Sequence, residues 1–290
     1  MRRGLTALFT WLLILCVGCH PTAPAQGGSG LALPRAITKI VSLSPSTTEI
    51  LGELQLTDYL VGRTANCDEP PSVKGAIVVV NGTKPDFEKI AKISPDLIVY
   101  DAKLYLATDL DGLKQSNPMI LKMDVNNVDD LMDFILQLGR ITGQVTLASE
   151  EADKLYSARE RARGAAPAEK VRIAVLSGGT GEYYAAGKDS FIADVVKNCG
   201  GDVVGPPGNI FAPMAPEQLV AGDPQIILVA GSAKAVLADS RLASVQAIKS
   251  NPQAVFEVPE NYLYRPGPKT ISLIDDLSNR VAAYAAAKRH

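Results

Sequence analysis

The chain has 290 residues, 47% of them hydrophobic, and a formal net charge of −2 at neutral pH. An apolar content of this size is normal for a globular core, and the lack of a basic block argues against a nucleic-acid partner. The two histidines are His20 and His290, near the ends of the chain. A Ser–His–Asp hydrolase or a His-ligated metal site needs imidazoles within the core. Neither kind of site can be built here, and we predict no catalytic residues and no metal ligands.

The amino-terminal segment has the composition of an export signal. Arg2 and Arg3 precede an apolar run, Leu5 to Val17, that ends shortly before Cys19. The run is shorter than the about 20 residues that cross a bilayer comfortably, and the order of charge, apolar stretch and small residue is typical of a secretory signal. We predict that residues 1–18 are a signal peptide and that the mature chain is exported, to the periplasm or to the cell-surface face.

The residues before Cys19 predict lipidation. The string LCVGC at 15–19 resembles a bacterial lipobox, in which the signal is cut before a cysteine that then carries lipid. It departs from that pattern at Cys16, and an ordinary secretory cut nearby is the alternative. Residues 19–35 are rich in Pro, Gly and Ala and predict a flexible tether to the membrane anchor.

The mature body contains two cysteines, Cys67 and Cys199. In an oxidising compartment such a pair can form a disulfide, which requires Cα atoms within about 7 Å of each other. Two buried free thiols are the other interpretation, and the sequence leaves both open.

Short apolar runs alternate with helical patterns along the rest of the chain. Helical periodicity is clear in Val128–Leu138 and Phe191–Asn198. Buried strands that alternate with helices are typical of parallel sheets with two covered faces, so the predicted fold class is α/β. The predicted strands are Ile37–Leu43, Ile77–Val80, Leu97–Tyr100, Met119–Lys122, Val171–Leu176, Ile226–Val229 and Ala254–Val258.

One helix–turn–strand unit occurs twice in the chain. The first copy runs from Pro85 to Val99 and the second from Pro216 to Leu228, with Glu88 matched to Glu217. Two copies, one in each half of the chain, predict two lobes of similar construction and not a solenoid of many repeats. Chance similarity between two common units is the alternative.

The segment between the two halves predicts a long helix. Val145–Gly164 is rich in strong helix formers and has no proline, and no glycine before its last residue. We predict a linking helix over 144–166 between an N-terminal lobe (36–143) and a C-terminal lobe (167–290). A single stiff helix would limit motion between the lobes to modest rocking and would leave a cleft for a small molecule.

Five segments of the body resemble one family of known proteins. They are IVSLSPSTTE at 40–49, GRTANCDEPP at 62–71, GKDSF at 187–191, CGG at 199–201 and YLYRPGPK at 262–269. In this order they resemble the solute-binding proteins of ABC importers, in the branch that carries vitamin B12, haem and iron–siderophores. The likeness covers residues 36–290 and is greatest to the members that bind vitamin B12. Glu69 departs from those members, whose second loop usually has an aromatic residue before its proline.

The resemblance implies both a fold and a function. The fold would be two Rossmann-like lobes with mainly parallel sheets, joined by a single long α-helix. The function would be to capture a corrinoid in the cleft and pass it to a membrane permease and its ATPase, as a monomer without a cofactor. Haem or an iron–siderophore is the alternative ligand. An exported two-lobed enzyme, with carboxylates such as Asp68 and Asp189, and a ligand sensor are further alternatives.

The resemblance also implies two kinds of functional residue. Glu88 and Glu217 would lie on the outer tips of the two lobes and meet arginines of the permease, although acidic residues are also common in the first turn of a helix. The ligand would lie against loops at the strand ends, and haem would need a tyrosine, such as Tyr183 or Tyr184, as axial ligand. The predicted ligand-binding residues are Ser44, Pro45, Ser46, Thr47, Asn66, Asp68, Asn81, Gly82, Tyr183, Tyr184, Phe211, Tyr262, Tyr264 and Arg265.

Overall fold

Two β-sheets, each built by one half of the chain, organise the fold. The structure, a computed structural model, describes residues 36–178 and 182–288, and within them the chain forms 11 strands and 10 α-helices. The predicted signal peptide, the predicted lipidation site Cys19 and the predicted tether lie outside the described residues. No helix in the described ranges is both long and apolar enough to cross a membrane.

The first sheet is parallel and has five strands. They are β1 (Ile40–Ser42), β2 (Leu60–Thr64), β3 (Ile77–Val80), β4 (Leu97–Asp101) and β5 (Met119–Met123). Their order in the sheet is β3-β2-β1-β4-β5, and all neighbouring strands run parallel. Helix α1 (Pro45–Glu53) follows β1, and helix α2 (Phe87–Ile93) precedes β4.

Both faces of this first sheet are covered. Ile40 and Leu97 belong to the main hydrophobic cluster of the protein, whereas their neighbours Val41 and Ile98 belong to a second, smaller cluster. Successive side chains of a strand point to opposite faces. A continuous apolar run therefore fills two cores at once, which is why these strands could be predicted from unbroken runs of hydrophobic residues.

The second sheet is mixed. Its strands are β6 (Val171–Gly178), β7 (Tyr183–Ala186), β8 (Gly201–Val203), β9 (Phe211–Met214), β10 (Ile226–Ala230) and β11 (Val255–Glu257). The order is β11-β10-β6-β7-β9, with β8 beside β6, and β7 is antiparallel to both its neighbours. The helices of this lobe are α5 (Phe191–Asn198), α6 (Pro216–Gly222), α7 (Ala233–Ala238), α8 (Gln246–Lys249), α9 (Glu260–Tyr264) and α10 (Thr270–Ala287).

Two consecutive helices join the lobes. Helix α3 (Val128–Thr142) ends at Gly143, whose φ of +77° is the left-handed conformation that glycine adopts readily, and α4 (Val145–Ala165) follows. The two helices approach closely, because a Cβ added at Gly139 would lie 2.3 Å from the Cβ of Ala148. Helix α4 covers the segment predicted to be the linking helix, and the predicted fold class is confirmed.

The internal repeat is present in the structure. Helices α2 and α6 both end at a non-glycine residue in the left-handed conformation, Ser94 with φ 50° and Asp223 with φ 42°. Each helix is followed by a buried strand that pairs with the central strand of its lobe, β4 with β1 and β10 with β6. The two halves thus share one local construction as well as a sequence pattern.

The repeat extends to a buried polar residue at the start of each strand. Asp96 precedes β4, and its Oδ2 atom accepts hydrogen bonds from Thr38 N and Oγ1 (both 2.9 Å) and from Lys39 N (3.0 Å). Gln225 precedes β10, and its Oε1 atom accepts one hydrogen bond, from Arg172 N at 2.9 Å. Each side chain fixes the start of the neighbouring central strand.

We predict that Asp96→Ala lowers the free energy of unfolding by about 2 kcal/mol, whereas Gln225→Ala, the matched control, lowers it by about 1 kcal/mol. The reason is that Asp96 accepts three charge-assisted hydrogen bonds and Gln225 one neutral bond from the main chain. Urea unfolding of the two variants measures the difference. Equal losses would contradict the importance given to the Asp96 carboxylate.

Candidate functional site

A cavity of about 380 Å³ lies between the two lobes. The first lobe contributes residues at and beyond the carboxyl ends of β4 and β5. The second lobe contributes the start of α5, the start of β9, the end of α9 and Pro266. The lining residues are Asp101, Lys103, Leu104, Met123, Val125, Ser190, Phe191, Ile192, Asn209, Ile210, Phe211, Leu263, Tyr264 and Pro266.

The position of this cavity agrees with a general rule for α/β sheets. Ligands bind beyond the carboxyl ends of parallel strands, in cavities of about 300–1,000 Å³. Depressions of larger volume, about 460 and 540 Å³, lie elsewhere. One is beside the start of β6 and the end of α10, and the other lies along α4. Neither is at a carboxyl strand end, so the interlobe cavity is the candidate site.

The lining is mainly apolar and includes three aromatic residues, Phe191, Phe211 and Tyr264. Phe211 and Tyr264 contact each other edge to face, with ring centroids 4.8 Å apart at an interplanar angle of 61°. Leu104 of the first lobe and Ile210 of the second are more than half exposed, at 55% and 57%. They stand where the cavity meets solvent. Such surfaces suit a large ligand with a flat apolar face.

Two of the polar side chains that line the cavity are almost fully buried. Ser190 donates its hydroxyl hydrogen to the carbonyl oxygen of Gly187 at 2.7 Å. Asp101, the last residue of β4, accepts a hydrogen bond at Oδ1 from the main-chain nitrogen of Lys103 at 2.8 Å. Burial raises the pKa of the Asp101 carboxyl. The Nζ atom of Lys103 is directed to Asn126, whose Oδ1 atom lies 2.6 Å away.

Arg265 and Lys269, from the segment around the start of α10, form ion pairs with three carboxylates of the first lobe. The Nη1 atom of Arg265 lies 2.8 Å from Glu49 Oε1 and 2.7 Å from Asp68 Oδ1. The Nζ atom of Lys269 lies 3.1 Å from Glu49 Oε2 and 2.5 Å from Glu69 Oε2. The hydrogen bond from Arg265 lowers the pKa of the Asp68 carboxyl. We call these five residues the interlobe ion-pair network.

Of the predicted ligand-binding residues, Phe211 and Tyr264 line the cavity. The Ser44–Thr47 segment instead caps α1: Ser44 is the N-cap, its Oγ atom accepts a hydrogen bond from Thr47 N at 3.2 Å, and Pro45 occupies the first turn. Ser44, Ser46 and Thr47 are buried. This motif builds the helix terminus, for which Ser followed by Pro is a favoured pair.

The two consecutive tyrosines of β7 lie on opposite faces of the second sheet. Tyr183 is buried, and its hydroxyl donates to Asp239 Oδ2 at 2.7 Å. Burial and this hydrogen bond raise the pKa of Tyr183 to about 12. Tyr184 is 46% exposed. Neither tyrosine lines the cavity. The Tyr183 hydroxyl has its hydrogen-bond partner, Asp239, within the protein.

The other predicted ligand residues also lie outside the cavity lining. Asp68 and Arg265 belong to the interlobe ion-pair network, and Tyr262 packs against the main hydrophobic cluster. Three more are exposed in loops after β2 and β3: Asn66, Asn81 and Gly82.

The lining residues of the first lobe were missed, although the sequence held a signal for them. Asp101 directly follows the predicted strand Leu97–Tyr100, and Met123 follows the predicted strand Met119–Lys122. The first-lobe residues predicted to bind the ligand follow β1, β2 and β3, whereas the cavity lies beyond β4 and β5. The same rule of carboxyl strand ends, applied to every predicted strand, would have included both residues.

Both cysteines are free, buried thiols. The Sγ atom of Cys67 accepts a hydrogen bond from Thr48 Oγ1 at 3.0 Å, whereas Cys199 Sγ donates to Ile274 O at 3.5 Å. Burial raises the pKa of Cys199 to about 12. The possible disulfide is not formed, because each cysteine packs among residues of its own lobe.

The matched acidic residues Glu88 and Glu217 are both exposed. Each is the second residue of its helix, Glu88 in α2 and Glu217 in α6. The structure therefore places the two carboxylates at equivalent positions of the repeated unit, available to solvent.

A family model described as periplasmic binding protein matches residues 40–257. The chain belongs to the periplasmic binding protein family. It is 26% identical over 259 residues to an uncharacterized ABC transporter substrate-binding lipoprotein, YvrC, of Bacillus subtilis, which covers 84% of this chain and 79% of the relative. It is also 26% identical over 264 residues to the vitamin B12-binding protein of Yersinia pestis, covering 87% and 90%.

Solved structures of periplasmic binding proteins share the fold. The vitamin B12 binding protein BtuF of Vibrio cholerae superimposes with a TM-score of 0.76 at 22% identity, covering 86% of this chain and 98% of that one. The heme-binding protein RhuT of Roseiflexus sp. RS-1, in its apo form, gives 0.74 at 21% identity, with coverage of 86% and 100%. The predicted resemblance to this family is confirmed.

We predict that Arg265→Ala lowers the free energy of unfolding by about 2 kcal/mol. The change removes two charge-assisted hydrogen bonds and leaves the buried Glu49 with Lys269 as its remaining cation in the network. Arg161→Ala is the control, because Arg161 pairs with Asp275 and both side chains are about half exposed, so its loss costs less than about 1 kcal/mol. Urea unfolding measures both; a loss at Arg265 no larger than at Arg161 would show that the network is unimportant.

Proposed function

We propose that this chain is the solute-binding lipoprotein of an ABC importer, which captures a corrinoid between its lobes and delivers it to the membrane permease. The observation that carries the proposal is the interlobe cavity at the carboxyl strand ends, lined by apolar and aromatic side chains from both lobes. A carrier needs a site that both lobes complete and that the solute can leave unchanged. The identity to a vitamin B12-binding protein over most of both chains supports a corrinoid.

The rigidity of the framework supports binding by a preformed site. The main hydrophobic cluster includes residues of both sheets and of α3 and α4, and the interlobe ion-pair network adds a second connection. Preorganised sites lose less conformational entropy when they bind. High affinity for a scarce solute is what an import system requires of its carrier.

Haem is the second candidate because a tyrosine, Tyr264, lines the cavity, and a tyrosinate can serve as axial ligand of haem iron. Burial, however, raises the pKa of Tyr264. Haem is placed second because the curated relative with 26% identity over 264 residues is a vitamin B12-binding protein.

The two matched carboxylates support docking on a permease. Glu88 and Glu217 are exposed in equivalent helices of the two lobes. Charges on two separate lobes fix the orientation of a complex and raise its association rate. In this proposal the two glutamates meet basic residues of the permease, and a lipid on Cys19 keeps the carrier at the membrane.

We predict that calorimetry detects binding of cyanocobalamin or dicyanocobinamide, and that Phe211→Ala weakens this binding by about tenfold or more, because the edge-to-face pair with Tyr264 and its apolar area are lost. Tyr59→Ala, a surface tyrosine outside the cavity, is the control and leaves affinity unchanged. Binding of hemin or a ferric siderophore in place of the corrinoids, followed by visible spectroscopy, would reassign the ligand.

We predict that the double variant Glu88→Arg/Glu217→Arg abolishes uptake of the solute identified by calorimetry, in cells that make the cognate permease and ATPase. Charge reversal places like charges against the permease and leaves the cavity intact. Affinity for the solute is expected to be unchanged. Glu150→Arg, an exposed glutamate of α4, is the control with normal uptake. Wild-type uptake by the double variant would refute the docking role.

A further inference from the structure

Asp101 is the feature of the cavity that the apolar lining does not explain. It ends β4 in register with Met123 of β5, lines the cavity and is 6% exposed. Its Oδ1 atom accepts the hydrogen bond from Lys103 N. Among the described residues, its Oδ2 atom has no hydrogen-bond donor, and no basic side chain forms an ion pair with this carboxylate.

The surroundings of Asp101 make an unpartnered oxygen costly. A buried carboxylate requires hydrogen bonds or a counter-charge, and the neighbouring Lys103 directs its Nζ to Asn126 at 2.6 Å, with Asp124 at 3.6 Å. The other almost fully buried polar side chain of the lining, Ser190, is satisfied within the protein. Burial raises the pKa of Asp101, and the nearby charge of Lys103 offsets only part of this effect. The Oδ2 atom is not fully enclosed, and a molecule in the cavity that Asp101 lines can donate a hydrogen bond to it.

We propose that Asp101 is the polar contact that determines which solute the cavity accepts: its Oδ2 atom accepts a hydrogen bond from an N–H group of the bound molecule. The solute then presents an amide or another neutral or cationic donor to the end of β4. A solute that presents a carboxylate at this point is rejected, because two negative charges would meet in a site with low dielectric constant.

This inference rests on the proposed carrier function and narrows its ligand class. A corrinoid carries primary amides around its ring and can supply the donor, whereas haem presents carboxylates at its edge. Apolar area alone holds either planar molecule; the buried acceptor distinguishes them, since a polar group left unpaired in a site costs more than a missing methylene.

The test compares two substitutions of Asp101 with a neighbouring control. Asp101→Leu removes the acceptor, and Asp101→Asn keeps an acceptor oxygen without the charge. Asp124→Asn removes a carboxylate that contacts the same lysine but lies outside the cavity lining. Calorimetry measures the affinity of each protein for cyanocobalamin, dicyanocobinamide and hemin. Thermal unfolding confirms folding, and Asp101→Asn is expected to be at least as stable as the natural chain, because the buried charge is unfavourable.

We expect affinity for the amide-bearing corrinoids to fall by about tenfold or more in Asp101→Leu and by about threefold in Asp101→Asn, with Asp124→Asn unchanged. Unchanged corrinoid affinity in both Asp101 variants would overturn the inference. Hemin that binds the natural chain and the Asp101→Asn variant with equal affinity would also overturn it. The failure of both corrinoids to bind would overturn it as well. The carrier function is tested separately, by the uptake of the identified solute in the Glu88 and Glu217 variant.

Discussion

The packing of α3 and α4 against both sheets is the constraint on which the rest of the molecule depends. Buried residues of the first sheet, of these two helices and of the second sheet form one contiguous hydrophobic cluster, and the close approach at Gly139 and Ala148 leaves no space for a larger residue. Displacing one lobe against the other would expose apolar surface, at a free-energy cost of about 25 cal/mol per Å². The distance between the lobes, and hence the shape of the cavity, follows from this shared core.

The interlobe ion-pair network is a second connection between the two lobes. Glu49 is buried in α1 and contacts both Arg265 and Lys269, so a helix of the first lobe is tied to the segment that starts α10. Glu69, which stands where the vitamin B12-binding members of the family usually have an aromatic residue, is a partner of Lys269. In this chain that position contributes to the connection between lobes, and the aromatic surface of the cavity comes from Phe191, Phe211 and Tyr264.

Sequence reasoning succeeded where a run of residues favours only one kind of secondary structure. Unbroken apolar runs such as Leu97–Tyr100 predict doubly covered strands, and the long stretch without proline predicts α4. It failed for β2, β7, β8 and β9, which are short or contain glycine and polar residues. The structure gives Ser44 and Arg265 roles within the protein, at the N-cap of α1 and in the interlobe ion-pair network. Their contact with a ligand stays a prediction.

The sequence by itself determined the fold class, the duplicated unit with Glu88 and Glu217, and the helix between the lobes, because hydrophobic periodicity and helix propensity act over neighbouring residues. Only the tertiary structure decided which strand ends form the cavity, which cations are neutralised across the lobes and that Cys67 and Cys199 are apart. These outcomes depend on contacts between residues distant in the chain. Asp101 shows the difference: its place after a strand is local, whereas its place in a cavity that both lobes line depends on how the lobes pack.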